Sequence, residues 1–121
     1  MEALKIQEGQ QTPEVEFDGN NGIFRIAGKS YPENVNVFYK PLFEYIEAYK
    51  DSPAPKTTVE FHWLYYNTAT SKMIMRIIMF LKDAGTEIEI DWYYNPGFEM
   101  IKEKGEEIKD ILDVPIHIKQ I

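Results

Sequence analysis

The segment TTVEFHWLYYNTATSKMIMRIIMFLKDAG, Thr57 to Gly85, changes its period in the middle. Up to Tyr66 the apolar residues alternate. Val59, Phe61, Trp63 and Tyr65 fall on one side and Glu60 and His62 on the other, the pattern of a strand with one buried face. Beyond Asn67, Ile74, Ile77, Ile78 and Leu81 cluster at 100° per residue, the pattern of a half-buried helix. The spacing predicts a helix over about 70–84, with Gly85 as its C′ residue. Between the two lie Thr68, Thr70 and Ser71, three hydroxyls in four residues. A strand that passes directly into a helix is half of a βαβ unit, and this reading sets the fold class for the whole chain.

The flanks repeat the theme. EVEFD (Glu14–Asp18) and IFRIAG (Ile23–Gly28) alternate on either side of an Asn/Gly turn, which predicts a β-hairpin. Val35, Phe38, Leu42, Tyr45, Ile46 and Tyr49 recur at helical spacing, giving a helix over about 33–50 in which Pro41 predicts a kink or a late start. TEIEIDWYY (Thr86–Tyr94) alternates again, with Ile88, Ile90 and Trp92 inward. NPGF leads into a third helix, about 98–112, with Ile101, Gly105, Ile108 and Leu112 on its inner face. VPIHIKQI closes the chain as a short strand. The order is ββαβαβαβ. Strands that alternate have one packed and one wet face, and right-handed crossovers running one way along a sheet put every helix on the same side. The expected fold is a two-layer α/β sandwich: a mixed sheet of about five strands with three helices mainly on one face, forming one domain over residues 1–121.

Composition narrows the function. Lys and Arg number 13 against 20 Asp and Glu, a net charge of −7. Nucleic-acid binding needs a basic face, so nucleic acid is not an expected partner. The absence of cysteine excludes disulfides, thiolate catalysis and Cys-ligated zinc. MEALKIQEGQQTPEV has no signal-peptide core, and no apolar run approaches the ~18 residues of a membrane span. The expectation is a cytoplasmic protein without a membrane partner.

Catalytic and metal motifs are absent. The two histidines, His62 and His117, lie on separate strands, and no HExxH, EF-hand loop, GxSxG or phosphate-binding glycine loop occurs. No metal, no cofactor and no catalytic residue is expected. Glu60 and His62 project to one side of their strand, so an alternative reading is a small ligand-binding or enzymatic domain using the wet sheet face around them. Alternation alone places charges there.

The hydroxyl-rich junction has two readings. Thr68 or Thr70 can cap the helix by accepting from first-turn N–H groups. A phosphoryl group there would add about −1.5 to −2 charge beside the positive end of the helix dipole, enough to reset an interface. Lys72 lies four residues after Thr68. Met79 points away from the core stripe, Met75 lies to its side, and Lys72, Arg76 and Lys82 share the outer half of the helix. The expected partner surface is Asn67, Thr70, Ser71, Lys72, Met75, Arg76 and Met79.

The order of elements, with a hydroxyl at the third strand–second helix junction, resembles STAS domains, the anti-sigma-factor antagonists. GKSYPEN, YYNTATSKM, EKGEEI and VPIHI, in that order, more closely resemble the SiaC-like family of bacterial regulatory phosphoproteins. The likeness spans nearly the whole chain. It implies a non-enzymatic partner-switch protein in signalling. It further implies that Thr68 is the phosphoacceptor, that a serine/threonine kinase and a PP2C-type phosphatase set its state, and that the unphosphorylated form binds and regulates a diguanylate cyclase.

Overall fold

The computed structural model describes residues 1–121. The elements are β1 (Leu4–Ile6), β2 (Glu14–Asp18), β3 (Ile23–Ser30), α1 (Val35–Tyr49), β4 (Lys56–Tyr66), α2 (Thr68–Lys82), β5 (Glu87–Tyr94), α3 (Glu99–Ile111) and β6 (Ile116–Gln120). The sheet is mixed and its strands stand in chain order. β1, β2 and β3 pair antiparallel, and β3 to β6 pair parallel. The three helices pack on one face, as a one-way series of right-handed crossovers requires. The expected sheet gains a sixth strand, β1, whose three residues are too few to show a period.

One continuous core joins the helices to the sheet. Tyr39, Leu42, Ile46 and Tyr49 of α1 and Ile74, Ile77, Ile78 and Leu81 of α2 are fully buried over Phe61, Trp63, Ile90 and Trp92. The opposite face is laced with ion pairs: Arg25 with Glu14, Glu89 with both Lys56 and His117, and Asp91 with Lys119. Ion pairs in contact with solvent add little to stability and serve mainly to keep this face wet.

Three local expectations change. α1 runs through Pro41 without interruption of its helical span, capped by Asn34, whose side chain accepts from the Val37 N–H at 3.2 Å. Pro41 cannot donate to the carbonyl of Val37, but both residues are exposed and water can serve that carbonyl. α2 spans Thr68–Lys82 instead of 70–84, so Asp83 is the C-cap and Gly85, with φ +76°, lies two residues beyond it. In β4, Gly28 pairs with Trp63 but Lys29 pairs with Tyr65, so Leu64 is an extra residue. This bulge reverses the phase of the strand's last residues. Tyr65, expected inward, is 49% exposed, and Tyr66 is buried in its place.

α3 lies close to the sheet because Gly105 has no side chain. Its backbone passes over Trp92, whose indole N–H donates to the Ile101 carbonyl at 2.8 Å. A Cβ at Gly105 would meet the Trp92 ring at 2.5 Å. Gly105→Ala should therefore destabilise the protein by up to about 2 kcal/mol, the difference between an overpacking cost of about 1–3 kcal/mol and a helix-propensity gain of ~1 kcal/mol. Urea unfolding of the variant checks the sign: a gain would mean that the indole moves aside freely.

Candidate functional site

A single residue, Asn67, separates the end of β4 from the start of α2. Its side-chain oxygen accepts from the Thr70 N–H at 2.9 Å, and its backbone carbonyl accepts from the Ser71 N–H at 3.0 Å. Asn67 is thus the N-cap, a role expected of Thr68 or Thr70. Thr68 becomes the first helical residue, and its side chain is exposed.

The three hydroxyls have three fates. Thr70 is fully buried. Its Oγ1 donates to the Ser30 carbonyl at 3.0 Å and lies 2.8 Å from the Ser30 hydroxyl, which is itself 2.8 Å from the Tyr39 hydroxyl. The network ties β3, α1 and α2 together. Burial pushes the Tyr39 phenol up to about 12. Thr70, expected on the partner surface, is therefore an internal anchor without surface to offer. Ser71 is half-buried and lines a groove. Thr68 opens on that groove and on solvent.

The groove, of about 530 Å³, runs between α2 and α3. Tyr65, Asn67, Thr68, Ser71 and Met75 form one wall, with Tyr66 at its end. Met100, Lys104, Glu107, Ile108 and Ile111 form the other. Met100 is 69% and Ile111 67% exposed, and with Met75 they give the groove an apolar edge. Burial also raises the Tyr66 phenol, with the nearby Glu107 adding to the effect.

The surface expected on the outer half of α2 is divided. Thr68, Lys72, Met75 and Met79 fall at i, i+4, i+7 and i+11, one stripe along the helix. Lys72 and Met79 are exposed on it, and Met75 dips into the groove. Arg76 leans the other way, its guanidinium 4.8 Å from the Phe43 ring centre and beside Phe80, in a separate cleft between α1 and α2. The α3 wall was not expected from the sequence. Its signal is a second stripe, Met100, Lys104, Glu107 and Ile111, again at i, i+4, i+7 and i+11 beside the core stripe of Ile101, Gly105 and Ile108.

On the wet face, the His62 Nε2 is 2.9 Å from the Asn95 side-chain oxygen, and the depression at His62 does not include Glu60. No group of three or more His, Asp or Glu side chains is arranged to hold a metal ion. No helix is long and apolar enough to cross a membrane.

Residues 6–121 match the profile of the SiaC family regulatory phosphoproteins. The chain belongs to the SiaC family. Among its relatives is an uncharacterized protein of Pseudomonas aeruginosa, 27% identical over 98% of this chain and 97% of that one. Among solved structures, SiaC of Pseudomonas aeruginosa is 26% identical, with a TM-score of 0.89 over 100% of both chains. A second, also at 26% identity and TM-score 0.89, covers 98% of this chain and 99% of the other; it is the crystal structure of the diguanylate cyclase SiaD of the same organism in complex with its activator SiaC. As a SiaC-family chain, the protein is a regulatory phosphoprotein.

The buried network makes a stability prediction specific to Thr70. Thr70→Val keeps the shape but loses the hydroxyl, leaving Ser30 with one fewer partner, at a cost of about 1–3 kcal/mol. Thr70→Ser retains the hydrogen bonds and should lose less than Thr70→Val does. Chemical denaturation of the pair checks this; equal losses would mean that the methyl group matters as much as the hydroxyl.

Proposed function

We propose that this chain is a phosphorylation-controlled activator of a diguanylate cyclase in the bacterial cytoplasm, with Thr68 as the phosphoacceptor. The carrying observation is the place of Thr68: an exposed hydroxyl at the mouth of the α2–α3 groove, in a chain that belongs to a family of regulatory phosphoproteins. The neighbouring hydroxyls are less suited, since Thr70 is fully buried and Ser71 half-buried. Similarity across the whole chain to a SiaC crystallised with the cyclase it activates supports the choice of partner.

In this reading the chain supplies only the acceptor. The Thr68 Oγ1 attacks the γ-phosphorus of a nucleoside triphosphate bound to the kinase. Its proton passes to a base, and nucleoside diphosphate leaves. A PP2C-type phosphatase returns the hydroxyl by hydrolysis, releasing inorganic phosphate. The unphosphorylated form offers the cyclase an apolar groove edged by Met75, Met100 and Ile111. A phosphate would add about −1.5 to −2 charge at its mouth.

Incubation with the cognate kinase and peptide mapping should place the label on Thr68. Label that persists in Thr68→Ala would move the site to Ser71 or elsewhere. Because Asn67 caps the helix, Thr68→Ala should change stability by no more than ~0.5 kcal/mol. Thr68→Ala should keep cyclase binding and Thr68→Asp should weaken it. If both bind like wild type, the junction has no switching role.

The groove wall gives a second test. Met100→Ala and Met79→Ala remove exposed side chains, so each should alter stability by less than about 1 kcal/mol. Met100→Ala should weaken cyclase binding several-fold, and more than Arg76→Ala, which lies on the α1 side. Binding by calorimetry beside thermal unfolding separates the outcomes. Stability lost at unchanged affinity would identify packing positions rather than an interface.

A further inference from the structure

Lys104 sits in the groove without a carboxylate partner. No acidic side chain lies within 4.0 Å of it, which is also true of Lys72; what sets Lys104 apart is its place in the groove lining. Its ammonium is instead held against the end of β4. The Nζ lies 3.4 Å from the Tyr66 carbonyl oxygen and 4.3 Å from the centre of the Tyr66 ring. An ammonium carries three donors, and one long carbonyl contact leaves most of that capacity unspent. Tyr66 is two residues before Thr68, and Lys104 is the sole cationic residue lining the groove onto which Thr68 opens. The groove's one carboxylate, Glu107, lies one turn further along α3 and does not pair with Lys104.

We propose that Lys104 is the receptor for the phosphate of phosphorylated Thr68, bridging α3 to α2 and covering the groove with the protein's own charge pair. The proposal rests on Thr68 being phosphorylated and concerns what the phosphate then does. A phosphate on Thr68 projects about one further bond layer into space that Lys104 already borders. A charge-assisted hydrogen bond between phosphate and ammonium is stronger than a neutral one. Partial burial of the lysine lessens solvent screening of the pair. Lys72, one turn after Thr68, is the rival cation. It is exposed and stands outside the groove lining, so it must surrender more side-chain freedom to reach the phosphate. The bridge would lie over the strip between Met75 and Met100. Phosphorylation then acts by self-occlusion, with the apolar wall closed from within, in addition to any repulsion of an acidic partner.

The test uses the full chain with phosphothreonine installed co-translationally at position 68, followed by ³¹P NMR across pH. A nearby cation favours the dianion, so the second phosphate dissociation in the folded protein should fall about half a pH unit or more below that of the urea-unfolded protein. Lys104→Gln should abolish most of that fall, and Lys104→Arg should retain it. Lys72→Gln should have the smaller effect. The first-turn N–H groups of α2 act alike in all variants, so the differences isolate the side chains. A general phosphatase should also remove the phosphate several-fold faster from Lys104→Gln than from the parent. The proposal is overturned if Lys104→Gln titrates like the parent, or if Lys72→Gln alone removes the shift. Thermal unfolding of the unphosphorylated variants establishes that they fold, and retention of the shift in Lys104→Arg reports the charge even if Lys104→Gln does not. Neither kinase nor cyclase enters the measurement, so its failure is separate from failure of Thr68 as the acceptor, which kinase labelling reads.

Discussion

The position of α2 depends on a buried contact between two small hydroxyl residues. Ser30 ends β3 and Thr70 lies in the first turn of α2. The Ser30 carbonyl accepts both the Asn67 N–H at 3.1 Å and the Thr70 hydroxyl at 3.0 Å. The Ser30 hydroxyl in turn reaches Tyr39 on α1. Buried polar groups are costly unless satisfied, and satisfied ones permit few alternative arrangements. Three elements that otherwise meet through non-directional apolar packing are thereby fixed in rotation as well as distance. The outward direction of Thr68 follows from the inward direction of Thr70, because two helical residues two apart point about 160° from one another.

The architecture was legible because the period changes cleanly. Val59, Phe61 and Trp63 alternate, and Ile74, Ile77, Ile78 and Leu81 recur helically; both sets are in the core. The one-sided placement of helices followed from connection handedness. What escaped was single-residue detail. The bulge at Leu64 is invisible to a pattern in which Trp63, Leu64, Tyr65 and Tyr66 are all apolar or aromatic, since every phase looks equally good. β1 is a short edge strand whose Leu4 and Ile6 are only half-buried, so pairing rather than hydrophobicity defines it.

The candidate site was legible in part for a different reason. Residue types at the junction showed that something polar is needed there, but not which hydroxyl does what. Capping by Asn67, anchoring by Thr70 and exposure of Thr68 differ by rotation about one helix axis; the buried stripe of Ile74, Ile77, Ile78 and Leu81 sets that rotation, and the contact with Ser30 locks it at the helix start. The importance of Thr68 came from family resemblance. The α3 wall was readable in principle, since Met100 and Ile111 are apolar off the core stripe. Such residues gain meaning only once the sheet order sets α3 beside α2.

The one-residue connection between β4 and α2 ties the backbone of Thr68 to two regular elements. Its backbone is clamped on one side by a paired strand and on the other by a capped helix, so the residue cannot be drawn out as an extended segment without dismantling part of the core. If Thr68 is the acceptor, as proposed, an enzyme that modifies it has to dock against the folded corner, reading Tyr65, the helix start and the α3 wall as a conformational epitope. Short linear sequence around the threonine would then carry little of the recognition, and modifying enzymes would discriminate among related proteins by shape rather than by consensus.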